Sequence, residues 1–220
     1  MLNLFKKKPD NLPEFWHDYE VKFQEKLPKE IEETRFVVLD TETTGFDLKK
    51  DRMLSIGAVA INNKSIDIAD GFEEYISQET FNPKTVKIHG IIQNERIKTL
   101  SEEEAVKAFL EYIGNSVLVA HHAGFDLGMI NEALTRMGLP KLKNKVLDTV
   151  NLYRGTRIIS NLINREKSYS LDEIAETYNI DIRDRHTAAG DAFITAIAFL
   201  TILGKLNTDG KLNLKKLFRV

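Results

Sequence analysis

The chain has 220 residues, is 42% hydrophobic and carries a formal net charge of −2, enough for one well-buried domain with an extension and short for two. That balance argues against a protein that coats nucleic acid by bulk charge. The absence of cysteine excludes disulfides and cysteine-ligated zinc, so any metal must sit on oxygen or histidine. No apolar h-region follows Lys6, Lys7 and Lys8, and no run approaches the ~20 apolar residues of a membrane span, which predicts a cytoplasmic protein without membrane association.

Residues 1–33 are rich in Lys, Glu and Pro, yet Phe15, Tyr19 and Phe23 recur every fourth position after Pro13. That spacing predicts an amphipathic helical extension. Short apolar runs at Phe36 to Leu39, Met53 to Ile61 and Ser65 to Ile76, the last two joined at Asn62 and Asn63, predict a three-strand antiparallel meander. Beyond it Ser101 with Glu104, and Ser170 with Glu173, match the capping box that opens a helix. Further short strands are expected at Ser116 to Ala120 and Lys145 to Leu147. Helices are expected at Asp126 to Met137, closed by Gly138, and at Ala188 to Leu203, closed by Gly204. The order is a meander followed by αβαβα: an α/β fold with a mixed five-stranded sheet flanked by helices, over residues 34–204, with a tail at 205–220.

Three segments carry chemistry. Asp40 and Glu42 stand two residues apart at the end of a buried strand, on one face of extended chain, where both can reach one metal cluster. His121, His122, Phe125 and Asp126 follow another apolar strand. Asp126 lies where a helix begins; by itself it reads as a dipole-stabilised cap before it reads as a ligand. His186 and Asp191 would face about 140° apart on one continuous helix. They converge only if His186 precedes the helix and Asp191 lies in its first turns, and the small residues Ala188, Ala189 and Gly190 permit close approach there. Arg136 to Lys167 holds eight Lys or Arg against Asp148 and Glu166, an excess of six positive charges read as solvated surface or phosphate contact.

Taken together, Asp40-Thr41-Glu42-Thr43-Thr44-Gly45, the His121-to-Asp126 segment, the His186-to-Asp191 segment and Ile88-His89-Gly90-Ile91 resemble the DEDDh exonucleases in order and spacing. The proofreading epsilon subunit of the bacterial replicative polymerase is the familiar member of that family. The family commonly has Asn where this chain has His122. The resemblance implies a ribonuclease-H-like sheet and a 3′→5′ exonuclease that releases nucleoside monophosphates from DNA 3′ ends, single-stranded or mispaired. It further implies two divalent cations, Mg²⁺ or Mn²⁺, on Asp40, Glu42, Asp126 and Asp191, with His186 as general base. Thr41, Thr43, Thr44, Gly45, His89 and His186 become candidate substrate contacts, and Asp148 a structural hydrogen-bonding residue. An RNA-trimming enzyme with the same five residues is the competing reading. A proofreading module active mainly when bound to a polymerase or sliding clamp is another, on the strength of Leu2 to Phe5 and the tail from Leu212 to Val220. Both ends also read, and more readily, as cover for the domain's own surface.

Overall fold

A computed structural model describes residues 12–78, 98–157 and 167–220; His89 and the segment from Leu2 to Phe5 lie outside them. Among the described residues the sheet has six strands, where the sequence predicts five. In spatial order they run β4-β3-β2-β1-β5-β6, with β1 Phe36–Thr43, β2 Met53–Asn62, β3 Ser65–Ile76, β4 Thr99–Leu100, β5 Val117–Ala120 and β6 Val146–Asp148. The first three form the expected antiparallel meander, and β5 and β6 add in parallel beside β1. The extra strand, β4, pairs two residues in parallel with Tyr75 and Ile76 of β3, too few for an alternation pattern to reveal. The hairpin between β2 and β3 turns on Asn63 and Lys64, both with positive φ, one residue later than predicted. Two positive-φ central residues give the turn the twist that matches its flanking strands.

Alternation along β1 sends its side chains into two cores. Val37 and Leu39 pack with α1 (Glu14–Val21), α2 (Glu102–Ile113) and α3 (Gly124–Arg136) on one face of the sheet. Phe36 and Val38 pack on the other with α4 (Thr149–Thr156), α6 (Ala188–Leu206) and α7 (Leu214–Leu217), and α5 (Leu171–Tyr178) adds Ile174. Both predicted capping boxes are present, at the starts of α2 and α5.

The Phe15, Tyr19 and Phe23 stripe is centred differently from the prediction. Trp16 and Tyr19 are fully buried while Phe15 and Phe23 pack at the margin, and the helix gives way to a 3-10 turn at Lys22–Gln24. Tyr19 Oη donates to Asn144 Oδ1 at 2.6 Å and accepts from Lys143 N at 2.8 Å, tying α1 to the chain before β6. At the other end Leu214 and Leu217 of α7 are buried against the second core.

Two helix boundaries also depart from expectation. α3 begins at Gly124, two residues early, although Gly138 does close it with φ +72°. α6 runs through Gly204 and stops at Asn207, where a turn to Gly210 takes over; a side chain at Gly204 would meet nothing within 4 Å, so the glycine neither packs nor breaks the helix. The 19 residues of α6 are also long and apolar enough to cross a membrane, against the expectation that no run approaches that length. Here the apolarity has another cause, because α6 is the central helix of the second core, with Ala192, Ala196, Ala198, Phe199 and Ile202 all wholly buried.

Candidate active site

β1 stops pairing with β5 at Val38, so the last residues of β1 leave the parallel ladder with one edge open. Asp40 and Glu42 lie on that stretch, and a register irregularity between Glu42 and Thr43 ends the regular pairing with β2. The open edge is filled from the side: Thr41 donates its backbone N–H at 3.0 Å and its hydroxyl at 2.7 Å to Asp126 Oδ1. Asp126 is held in the first turn of α3, where a carboxylate is favoured, yet only 4% of its surface is exposed.

The third segment arrives from the opposite face. His186 adopts φ +68° just before the helix and Thr187 caps α6, so Asp191 lies in the first turn. Its Oδ1 accepts from His186 N at 3.3 Å. Carboxylate oxygens of Asp40, Glu42 and Asp191 consequently stand within 4.8 Å of one another.

What allows this approach is a residue the sequence reading passed over. Gly57 lies directly opposite Asp40 on β2, and an ideal Cβ there would come within 2.2 Å of the Ala188 carbonyl carbon and the Ala189 nitrogen. α6 therefore seats its first turn on bare backbone beside Asp40. The available signal was a glycine inside an otherwise apolar strand, which marks close approach of another backbone.

Electrostatics follow from the crowding. Burial, then the neighbouring Asp126, Asp191 and Glu42, raise the pKa of Asp40 well above the usual carboxylate range. Glu42 is pushed up to about 7, by burial first and then by Asp191. Asp126 is also pushed up to about 7 by burial, with the two Thr41 bonds opposing it. A set of hard oxygen donors that resist ionising together is suited to a hard divalent cation.

Arg185 is a second site residue absent from the sequence reading. Burial disfavours its charge, but bonds to Asp172 and Asp191 outweigh that and raise its pKa. Its Nη1 donates to Asp191 Oδ2 and its Nε to Asp172 Oδ1 at 2.6 Å.

The predicted substrate residues are placed less simply. The Thr41 hydroxyl is bonded to Asp126, that of Thr43 donates to the Gly45 carbonyl at 2.8 Å, and that of Thr44 to Asp51 Oδ1 at 2.8 Å. These hydroxyls order the loop after β1. Phe46, unremarked in the sequence, stands 82% exposed on that loop with its ring 5.7 Å from that of Phe125.

Behind the carboxylates, Asp148 caps α4 and accepts from Ala123 N at 3.1 Å. His121 is held neutral, its pKa lowered to about 4 by burial and by His122, with Nδ1 2.9 Å from Thr149 Oγ1. His122, exposed at φ +57°, reaches Ser168 Oγ at 3.2 Å. A left-handed backbone suits Asn, the family's common residue there, and tolerates His.

Comparison with known proteins gives the following. The family model RNase T, described as "Exonuclease", matches residues 37–199. The PolC-type DNA polymerase III of Caldanaerobacter subterraneus is 37% identical over 179 residues, 81% of this chain and 12% of that polymerase. Among solved structures, a zinc-bound complex of E. coli ExoI with single-stranded DNA superposes with a TM-score of 0.65 at 18% identity, covering 85% of this chain and 42% of that one. Exonuclease X in complex with 5′-overhanging duplex DNA superposes with a TM-score of 0.59 at 22% identity, covering 80% and 94%. The two structural likenesses establish a shared fold. The chain spans about 12% of the length of the PolC-type relative.

Proposed function

Because the chain belongs to the RNase T exonuclease family, we propose that it removes nucleoside monophosphates from DNA 3′ ends by metal-dependent hydrolysis. The observation that carries this reading is the convergence of Asp40, Glu42 and Asp191 within 4.8 Å, with Asp126 alongside through Thr41. Those four carboxylates are the residues to hold two divalent cations, Mg²⁺ or Mn²⁺. Bound there, the cations supply charge neutralisation and Lewis-acid polarisation of water and phosphate.

In this reading His186, on the loop before α6, accepts the proton from the attacking water at a ring nitrogen. The water oxygen bonds to phosphorus as the bond to the 3′ oxygen breaks. Exposed Phe46 offers a face for a base to stack on, and the loop backbone at Gly45 lies next to the metal pair. His89 is kept as a nucleotide contact on the resemblance alone.

DNA is favoured over RNA because the PolC-type relative is a DNA polymerase and the superposed structures hold DNA. Service to a polymerase, and a cytoplasmic location, belong to the same proposal. The buried side chains of α1 and α7 support reading residues 12–33 and 205–220 as cover for the 34–204 domain.

The test is digestion of 3′- and 5′-labelled single-stranded DNA and RNA with Mg²⁺, Mn²⁺ or EDTA. Wild type should release 3′-terminal mononucleotides from DNA only with metal, and Asp40→Asn should release none. His186→Asn, which tolerates the same left-handed backbone, should turn over on the order of 10²–10⁴ times more slowly. Undiminished cleavage by Asp40→Asn sinks the assignment.

A further inference from the structure

We propose that Arg185 is the resident counter-cation of the carboxylate site: it neutralises Asp191 while no metal is bound and competes with the divalent ions for that same carboxylate. The inference rests on the metal-site reading of Asp40, Glu42 and Asp191. Three observations carry it. Arg185 bonds Asp191 at Oδ2, while Oδ1 accepts, among the described residues, from the His186 backbone at 3.3 Å. Its other edge is fixed by Asp172 just inside the start of α5, so the guanidinium fork bridges two carboxylates from two elements. Its side chain remains 19% exposed, which leaves the guanidinium room to swing toward solvent, whereas the Asp191 carboxylate on the first turn of α6 is only 7% exposed.

The physical need is plain. Asp40, Glu42 and Asp191 repel one another in a site where burial weakens screening, and Arg185 is a fixed positive charge placed against them. It opposes the upward pKa shift of both Asp40 and Glu42. When a divalent ion takes Asp191, the guanidinium must withdraw from Oδ2 or share it, and the positive charges then repel. Removing Arg185 acts in one direction on both states: the metal-free protein loses its internal counterion, and the ions lose a competitor.

This separates the proposal from two plainer roles. A strut that merely ties the loop before α6 to α5 would, when cut, lower stability with and without metal alike. A contact to substrate phosphate would, when cut, raise KM and leave metal affinity unchanged.

The experiment measures Mn²⁺ binding by calorimetry, and melting temperature in EDTA and in saturating Mn²⁺, for wild type, Arg185→Gln and Arg185→Lys. Arg185→Gln should melt lower in EDTA, recover most of that loss in saturating Mn²⁺, and bind Mn²⁺ about three- to tenfold more tightly. Arg185→Lys, which keeps the charge but not the bridging fork, should fall between the two and serves if the glutamine variant does not fold. Equal or weaker Mn²⁺ affinity in both variants overturns the counter-cation role, as does a loss of stability that metal does not repair. No Mn²⁺ response in the wild type overturns the metal-site reading, and this inference with it.

Discussion

At the residue scale the site is defined by carboxylates brought close at a cost in the metal-free state. Glu42 and Asp126 are both raised to about 7, from ordinary values of 4.5 and 3.8. Since the folded-state values lie above the unfolded ones, protonation stabilises the fold fully below about pH 4, and that stabilisation is lost as pH rises through about 7. In EDTA the melting temperature should therefore fall between pH 5 and 8, by roughly 5 °C. Asp40→Asn should flatten that fall, because it removes one of the repelling charges, and saturating Mn²⁺ should reverse its sign. Thermal melts across pH check all three, and a metal-free profile with no pH slope in the wild type would contradict the electrostatic account. Of the residues concerned, Asp40, Glu42, Asp126, His186 and Asp191 were legible as a pattern. Arg185 was not, because an arginine in a charged loop has no periodicity and its two partners come from different elements.

At the element scale the decisive contact is the first turn of α6 on β2. Asp191 meets Asp40 because Gly57 leaves a gap in the strand that the Ala188 and Ala189 backbone fills, and because Gly190 lets the turn close on itself, an added Cβ lying 1.9 Å from the Asp184 carbonyl oxygen. A methyl group at Gly57 would strike backbone rather than a yielding side chain. Gly57→Ala should accordingly cost about 1–3 kcal/mol in denaturant unfolding. It should also lower nuclease turnover by more than about tenfold, since an ångström of misplacement is expensive in an aligned site. Retained activity with normal stability would mean that α6 is seated by other contacts. The starts of α2 and α5 were marked in the sequence by the capping boxes, and the hairpin to within one residue by the asparagines. The end of α6 was misread at Gly204, because an exposed glycine inside a helix looks like a stop until the surrounding packing is known.

On the scale of the whole molecule, the two cores on either face of the sheet draw in the described segments that flank the 34–204 domain. Trp16 and Tyr19 complete the first and Leu214 and Leu217 the second. The N-terminal segment should therefore be inseparable from the fold: Trp16→Ala should lose about 3–5 kcal/mol, against a much smaller loss for the marginal Phe15→Ala, as read by chemical denaturation. A change within about 0.5 kcal/mol at Trp16 would instead mark the helix as a detachable appendage. The 19 residues of α6 illustrate the same dependence on context, since a stretch apolar enough to span a membrane here fills a core between sheet and helices.

By itself the sequence determined the meander, both capping boxes, the alternation that puts Asp40 and Glu42 on one face of β1, and the ordered motifs of an exonuclease. These are local properties, written within one strand, one turn or one helix start. Only the tertiary structure decided which elements cover that face: α6 pressed onto Gly57, Asp126 reaching the open edge of β1 through Thr41, and Arg185 laid between Asp172 and Asp191. The reason is that periodicity reports the direction of a side chain relative to its own element, whereas a site assembled from residues 40 to 191 depends on contacts across the sheet, and those are fixed by how whole faces pack.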